Sequence, residues 1–209
     1  MAASRSFSSG SNNVSYSCSL DTTTDNITVA VWIKIPSGWN SGTDAFVTMG
    51  GTQVFFAHST NKFRVQLGTT ITSSITVSSL AGDGLWHHIV GTNGHTGDNT
   101  SCNLYIDGVL EAENSDSTVD RSGNVVIQNP DTTGGLLISD LHVYNRQLSK
   151  DEINEIMYNP NSIPGAYIYS PIWGSSPEQD LSGNGRDGTV TGTATSTDGP
   201  PISFPQMIG

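Results

Sequence analysis

The sequence predicts an all-β fold in which two antiparallel sheets pack face to face. Only 13% of the 209 residues are charged, against about 25% in a typical soluble domain. Glycine, serine, threonine, asparagine and aspartate replace them, and these residues favour turns and strand edges. Short β-prone segments recur every 8 to 12 residues or so, which is the spacing expected of a β-sandwich.

The first long strand segment, "ITVAVWIKI" (27–35), places its side chains alternately on two faces. Val29, Val31 and Ile33 face one way, whereas Trp32 and Lys34 face the other. Further β-prone segments follow at 45–50, 53–58, 63–68, 74–80, 85–92, 102–106, 109–113, 124–128, 135–145, 166–172 and 188–194.

Two local signals are sharper than the strand pattern. Asp107-Gly108 predicts a type I′ hairpin turn between two strands. Ser149 and Glu152 have the spacing of a capping box, in which the serine accepts from the Glu152 amide and the glutamate reaches back. Apolar residues then share one face of a short helix near 149–158. We expect this to be the one helix of the fold.

Charge and composition exclude several classes of function. The formal net charge is −11, so a nucleic-acid backbone or an anionic membrane surface would be repelled. No apolar run approaches the length of a membrane span, and residues 1–20 lack the pattern of a secretory signal. Cys18 and Cys102 could form one bridge or remain two free buried thiols, and the sequence leaves both open. Zinc-ligand spacing is absent as well.

Four segments, "TDNITVAVWIKI", "DGLWHHIVGT", "LYIDGVLEA" and "ISDLHVYNRQLSKDEINEI", occur in this order. Together they resemble the laminin-G/pentraxin-like (LamG) branch of the concanavalin A-like lectin/glucanase superfamily, over about residues 14–158. The resemblance implies a two-sheet antiparallel jelly-roll sandwich. We expect one such domain over residues 1–197, followed by a Pro/Gly-rich tail at 198–209.

The stretch "DLSGNGRDG" (180–188) has an unusual position within this resemblance. In many family members a similar segment precedes the strand equivalent to 27–35, whereas here it comes last. The order is therefore rotated, and we expect the strands at 166–194 to complete the sheets beside the N-terminal strands. Asp180, Asn184 and Asp187 are predicted to bond their own backbone in turns. Their spacing is not that of an EF-hand calcium loop.

The resemblance to pentraxins also implies a calcium position at the rim of the sandwich. It would place Asp131 there, with Asn129 or Gln128. One lone carboxylate supplies few of the oxygens that Ca²⁺ requires. The sequence therefore establishes no cofactor, and a single bound Ca²⁺ ion is the alternative.

Glycoside hydrolysis is the alternative enzymatic interpretation. Sandwich glucanases of related fold carry E-x-D-x-x-E on a strand, and "EAENSD" (111–116) imitates the acid spacing through Glu111 and Glu113. Asn114 and Ser115 replace the apolar residues of that pattern, and nothing in the segment indicates a shielded carboxyl of raised pKa. We expect no enzymatic activity.

Aromatic and polar loop residues supply the candidate binding site. Trp39 follows a strand in a polar loop, so it is a candidate for stacking on a sugar, with core packing as the alternative. Trp86 and His88 are expected to pack within the sandwich, and Trp173 to cover a sheet edge or meet a partner. Polar loop residues that are candidates for binding glycan hydroxyls are Asn40, Asp44, Asn93, His95, Asp98 and Asn99.

The sequence thus predicts a non-catalytic recognition or adhesion module that binds glycan, such as cell-surface polysaccharide, or another surface partner. Freestanding modules of this kind resemble phage and other viral particle-surface proteins, so a virion-surface or extracellular location is expected. The tail at 198–209 would then contact capsid or other virion proteins, and the protein would be homo-oligomeric or particle-bound. A purely structural capsid decoration protein without glycan binding is the second alternative.

Overall fold

The computed structural model describes residues 4–7, 12–21, 26–39, 45–58, 61–67, 70–94, 101–115, 122–128 and 135–202. These residues form two antiparallel sheets and two helices. The elements, in chain order, are β1 (Ser4–Phe7), β2 (Asn13–Tyr16), β3 (Ile27–Lys34), β4 (Ala45–Met49), β5 (Thr52–His58), β6 (Lys62–Gln66), β7 (Thr70–Thr76), α1 (Val77–Leu80), β8 (His87–Asn93), β9 (Ser101–Ile106), β10 (Val109–Ser115), β11 (Val125–Gln128), β12 (Leu136–Tyr144), α2 (Lys150–Tyr158), β13 (Ile168–Ser170), β14 (Thr189–Thr191) and β15 (Ala194–Ser196).

The two sheets confirm the predicted jelly-roll sandwich. The first sheet has eight strands in the order β10-β9-β8-β3-β12-β1-β15, with β13 also pairing with β12. The second sheet has seven strands in the order β14-β2-β11-β4-β5-β6-β7. The strands from the two ends of the chain lie beside each other, because β15 pairs with β1 and β14 pairs with β2.

The core lies between the sheets and is filled by alternate side chains of each strand. Val29, Val31 and Ile33 of β3 belong to this core, as the alternation predicted. The sheets approach closely at Gly91 in β8, where a Cβ atom would lie 2.4 Å from a methyl carbon of Val65. A side chain at this position would therefore force the two sheets apart.

A buried ion pair holds the ends of the chain together. Arg5 of β1 bonds to Glu178, and both side chains are almost fully enclosed. Glu178 also accepts from the Gly174 amide at 2.8 Å and from the Ser175 hydroxyl at 3.0 Å. These additional bonds offset the cost of burying the two charges.

Strand β12 changes partner halfway along one edge. Its first half pairs with β1 through Leu136 to Ile138, and its second half pairs with β13 through Leu141 to Val143. Asp140 lies at the junction, inside a bulge and with a positive φ of 57°. This bulge sets the orientation of the buried side chains that follow it.

The local predictions largely hold. Asp107 and Gly108 both have positive φ, as a type I′ turn requires. Helix α2 begins at the predicted capping box, where the Ser149 side chain accepts from the Glu152 amide and Glu152 returns the bond. The expectation of one helix was wrong, because the segment predicted as a strand at 74–80 ends in the short helix α1. The Asn61 side chain accepts from the Ser78 amide at 3.2 Å and so turns the chain there.

Candidate functional site

The structure describes three of the residues predicted to bind glycan or metal. Trp39 belongs to the sandwich core and is 5% exposed, and Asn93 is fully buried in β8. Gln128 ends β11 and donates from Nε2 to the Ala45 carbonyl at 3.3 Å. Trp39 and Asn93 are thus enclosed, which is the packing alternative for Trp39. The remaining predicted residues lie outside the described part of the chain: Asn40, Asp44, His95, Asp98, Asn99, Asn129 and Asp131.

A surface cleft opens instead at one end of the first sheet, where β3 ends and β8 and β12 begin. These ends meet because β3 is antiparallel to both neighbours, so that Lys34 pairs with Leu137 and Ile33 pairs with His87. The cavity has a volume of about 350 Å³. We call it the Lys34 cleft, and its lining residues are Lys34, Ile35, Pro36, Ser37, Gly82, Gly84, Gly135 and Leu137.

Glycines form part of the lining and expose backbone to the cleft. A Cβ atom on Gly82, which has a φ of +78°, would lie 2.8 Å from the Cβ atom of Ser37, so the two loops can touch only through a glycine. The Gly82 amide also donates to the Ile35 carbonyl at 2.9 Å. Gly84 has open space around it, and the adjacent Leu85 is 61% exposed.

Three polar groups converge beside this cleft. Lys34 Nζ lies 2.7 Å from Asp198 Oδ2, and Trp86 Nε1 donates to Asp198 Oδ1 at 3.0 Å. These hydrogen bonds, that from Lys34 first, lower the pKa of Asp198 and keep it ionised at neutral pH. The Asp198 side chain is still 43% exposed. Its carboxylate is therefore fixed in place but can accept further hydrogen bonds from a ligand.

The sequence did not predict this group. Trp86 was expected in the core, but it is half-buried and its indole N–H is held by Asp198. Asp198 was assigned to the tail, yet it is bonded to the first sheet of its own chain. Only the alternation of β3 gave a signal, because it placed Lys34 on the face away from the core.

A second polar group lies on the same outer face of the first sheet but is enclosed. Trp32, His88, Asp140, His142 and Tyr169 form this buried His–Asp cluster, and each is at most 3% exposed. The ring centroids of Trp32 and His88 are 5.1 Å apart, and those of His142 and Tyr169 are stacked at 4.4 Å. The His88 ring is packed and fully buried, as predicted, and it lies on the outer face of the first sheet.

Burial keeps the cluster uncharged. Burial lowers the pKa of His88 to about 3 and that of His142 to about 4, and it raises the pKa of Asp140 well above its ordinary value. His142 Nε2 lies 3.0 Å from the Pro160 carbonyl, which only accepts, so Nε2 carries the proton. The other ring nitrogen, Nδ1, faces Asp140 Oδ2 at 3.5 Å. A neutral imidazole beside a protonated carboxyl is consistent with this geometry.

His87, on the opposite face of β8 from His88, behaves differently. Burial opposes its charged form, but hydrogen bonds to Asp107 and Asp83 outweigh burial and raise the pKa of His87. The distances are 2.8 Å to Asp107 and 3.0 Å to Asp83. The two adjacent histidines therefore differ in charge preference, because His87 has two carboxylate partners whereas the His88 ring is fully buried and bonds to none.

The acids suggested for hydrolysis lie on β10, the edge strand of the first sheet. Glu111 accepts from the Ser74 hydroxyl at 2.5 Å, and Glu113 is exposed. Asp116 lies outside the described residues. Neither side chain is fully enclosed, because Glu111 is half-buried and Glu113 is exposed at the edge of the sheet.

The cysteines and the glycine-rich stretch are also placed. Cys18 and Cys102 are both buried and no disulfide joins them, which is one of the two open alternatives. Asp180 accepts from backbone amides in its own turn, as predicted. Within the described ranges, no three His, Cys, Asp or Glu side chains are arranged to hold a metal ion. None of the helices among these residues is long and apolar enough to cross a membrane.

Comparison with known proteins identifies the family. The family model described as the concanavalin A-like lectin/glucanases superfamily (a laminin-G family) matches residues 8–154. The chain belongs to this family. Among curated proteins, the sequence finds no match.

Solved structures of this superfamily fold share the architecture at low identity. A "putative carbohydrate binding protein" from Bacteroides ovatus has a TM-score of 0.70 and 15% identity, over 97% of this chain and 62% of that one. The heptameric SAP-like pentraxin of Limulus polyphemus has a TM-score of 0.59 and 14% identity, over 93% and 94%. The botulinum neurotoxin serotype G binding domain has a TM-score of 0.53 and 17% identity, over 66% and 37%. The chain thus spans well under the full length of the first and third of these.

Proposed function

We propose that this protein is a non-catalytic recognition module that binds neutral glycan at the Lys34 cleft. The observation that supports the proposal is the convergence of Trp86, Lys34 and Asp198 beside a cleft that is open to solvent. An aromatic ring, a cation and a carboxylate close together can contact both the apolar face and the hydroxyl groups of a sugar.

The chemistry of the cleft suits a neutral sugar. Asp198 is ionised, so it accepts hydroxyl hydrogen bonds that are shorter and stronger than those of a neutral acceptor. Lys34 donates, and the two charges cancel, so the site gains nothing from a charged ligand. Leu137 and the accessible part of the Trp86 ring provide apolar surface for the carbon face of a pyranose. Exposed backbone at Gly84 provides further hydrogen-bonding groups.

The fold relatives give independent support for binding rather than catalysis. One is described as binding carbohydrate, and another is the binding domain of a toxin. These descriptions concern those proteins, and their identity to this chain is low, so they support the class of function and not the ligand. The expected virion setting, capsid contacts and oligomeric state gain no support from them and do not enter the proposal.

The proposal is tested by titrating the protein with a panel of neutral oligosaccharides, comprising β-glucan, mannan and chitin hexamers, in a calorimeter. We expect at least one to bind with a Kd near 1 mM or tighter, corresponding to about −4 kcal/mol. Trp86→Ala should weaken that binding at least tenfold. Trp173→Ala is the control, because Trp173 is a 43% exposed indole that does not line the cleft.

Three results would count against the proposal. Binding that Trp173→Ala abolishes and Trp86→Ala leaves intact would move the site elsewhere. Heat from none of the hexamers, with binding only to another protein, would favour the structural decoration alternative. Release of reducing sugar that Glu111→Gln and Glu113→Gln abolish would establish the hydrolase alternative.

A further inference from the structure

The stretch at 180–188 forms a rigid loop around one carboxylate. Asp180 accepts from the backbone amides of Tyr169, Ser182 and Arg186 at 2.9 to 3.0 Å. Asp187 Oδ1 accepts in turn from the Asp180 amide at 2.8 Å. A carboxylate that accepts from three backbone amides fixes the path of the loop.

A second anchor ties this loop to β13 and the residues before it. Asn184 Nδ2 donates to the Ala166 and Tyr167 carbonyls, both at 3.1 Å. The result is that the Arg186 guanidinium lies over the Tyr167 ring, 3.8 Å from its centroid. The loop therefore presents a cation at a fixed position, seated on an aromatic face.

Tyr167 is itself held in place from the other side. Its hydroxyl lies 2.8 Å from Ser19 Oγ and accepts from the Ser19 amide at 3.3 Å. Burial opposes ionisation of the phenol, but the bonds from Ser19 and then the charge of Arg186 outweigh burial and lower the pKa of Tyr167. Arg186 thus creates a locally positive environment in a strongly acidic protein.

These residues line a separate cavity of about 290 Å³, which we call the Arg186 cleft. Its lining residues are Ser17, Cys18, Ser19, Asn124, Tyr167 and Arg186. Ser17, Ser19 and Asn124 are exposed, so their hydroxyl and amide groups are accessible to a ligand. The volume lies at the small end of the range for ligand pockets, which suits a single sugar unit.

The Arg186 guanidinium has no acidic partner in the described part of the chain. Among the described residues it has no carboxylate within ion-pair distance, and its guanidinium contacts only Tyr167. Arg5, Lys34 and Arg146 are paired with Glu178, Asp198 and Glu152. Lys62, Arg64 and Lys150 also have no ion pair among the described residues, but none of them lines the Arg186 cleft. An unpaired guanidinium at a fixed position in a cleft is the group that best recognises a carboxylate, because its fork of N–H donors matches the two oxygens.

We infer that the Arg186 cleft binds the carboxylate of an acidic sugar, such as a uronic acid, with Arg186 as the anion-binding residue. The hydroxyl and amide groups of Ser17, Ser19 and Asn124 both donate and accept, as sugar hydroxyls do. The net charge of −11 repels a polyanion over a long range, so a ligand with one carboxylate per binding unit fits better than a densely sulfated chain.

This site is distinct from the Lys34 cleft. Leu137 lines the Lys34 cleft, whereas the Tyr167 amide donates to the Val143 carbonyl. The two positions lie six residues apart on β12, a separation of about 20 Å along an extended strand. Occupation of one cleft therefore does not require the other, and the proposal can fail while the proposed function holds.

The test compares sodium glucuronate with methyl glucoside by NMR titration of the full chain, following the backbone amide signals of Ser17, Ser19 and Asn124, which line the cleft and are present in every variant. We expect glucuronate to shift these signals with a Kd of millimolar order, and methyl glucoside to bind at least tenfold more weakly. Arg186→Gln should remove glucuronate binding. Lys150→Gln is the matched control, since it removes the same charge from an exposed position on α2.

Two further arms identify the ligand chemistry. Acetate and inorganic sulfate should each bind at least tenfold more weakly than glucuronate, because neither has the sugar hydroxyls. Arg186→Lys should keep the charge but lose most of the affinity, since an ammonium lacks the planar fork. The inference is overturned if Arg186→Gln binds glucuronate like the unmodified protein while its thermal unfolding is unchanged. It is equally overturned if acetate, sulfate or an acidic peptide binds as tightly as glucuronate.

Discussion

The buried His–Asp cluster and the Lys34 cleft share one face of the first sheet and carry similar residue types. The cluster contains a tryptophan, an aspartate and two histidines, and a tryptophan, an aspartate and a lysine converge beside the cleft. In the cluster, burial drives the pKa values of His88 and Asp140 far from their ordinary range and keeps them uncharged. Beside the cleft, Lys34 and Asp198 are charged and partly exposed.

This difference shows that a perturbed pKa does not by itself mark a functional site. Strong shifts accompany catalytic groups, but enclosed structural groups show them too. His142 and Asp140 are fully enclosed, so a ligand would have to displace the residues that cover them. The groups beside the cleft have the accessible chemistry that binding requires. We therefore interpret the cluster as part of the folded structure and the cleft as the binding site.

The largest expected effect is on stability. His142→Ala removes a fully buried ring that stacks on Tyr169 and leaves the Pro160 carbonyl without its donor. We expect it to lower the free energy of unfolding by about 3 kcal/mol. Lys34→Met, which breaks a partly exposed ion pair, should cost less than about 1 kcal/mol. Urea unfolding measures the free energy of unfolding of both variants. An equal decrease in the two would contradict the expected difference between the cluster and the cleft.

The pH dependence of stability should come from the cluster. His88 and His142 have folded pKa values lowered to about 3 and about 4, against an unfolded value near 6.5. Their contribution is therefore present above pH 6.5 and is lost as pH falls from 6.5 toward 4. Within this window, each histidine lowers the free energy of unfolding by about 1.4 kcal/mol for each unit that the pH falls.

Asp140 opposes that trend, because its pKa is raised and the folded state holds its proton more tightly. The contribution of Asp140 to the free energy of unfolding is therefore lost as the pH rises above the ordinary pKa of an aspartate. The net loss from the cluster as pH falls from 6 to 5 is then smaller than the two histidines alone would give. His142→Gln should flatten the stability curve in this interval. His87 titrates above 6.5 because its pKa is raised, so it leaves this window unaffected. An unchanged slope would contradict the interpretation.

The smallest expected effect comes from a matched pair of substitutions. Asp140→Asn removes a carboxyl whose ionisation is disfavoured by burial, so stability at pH 7 should stay equal or rise by about 1 kcal/mol. Glycan binding should be unchanged. Asp198→Asn should leave stability within about 1 kcal/mol but weaken neutral glycan binding several-fold. Calorimetry measures glycan binding and urea unfolding measures stability for both variants. Loss of binding in Asp140→Asn, with binding unchanged in Asp198→Asn, would place the binding site at the buried cluster.

Much of the fold was predictable because its signals are local. Alternation in β3 fixed which residues enter the core, the Asp107-Gly108 turn fixed a hairpin, and the capping box at Ser149 fixed the start of α2. The short helix α1 was missed because it has no side-chain cap of its own, and the bond from its Ser78 amide goes to Asn61, which is distant in the sequence.

The candidate site was not predictable in the same way. Asp198 and Lys34 are separated by 164 positions in the sequence, and only the pairing of β15 with β1 brings them together. Trp86 was predicted to lie in the core because it belongs to the segment "DGLWHHIVGT", which resembles a core strand of the family. Its actual partner is a carboxylate in a segment whose composition gives no structural signal. Trp39 was predicted to bind a sugar because it lies in a polar loop after a strand, but its ring packs in the core.

The central claim can be tested with the indole N–H signals of the tryptophans in a ¹⁵N-labelled sample. Titration with the neutral hexasaccharide that binds in the calorimeter should shift the Trp86 signal, because its N–H is bonded to Asp198 beside the cleft. The signal of Trp32, which is 3% exposed in the buried cluster, should stay in place. A saturating shift of Trp32 with Trp86 unmoved would show that the enclosed cluster, and not the open cleft, receives the ligand.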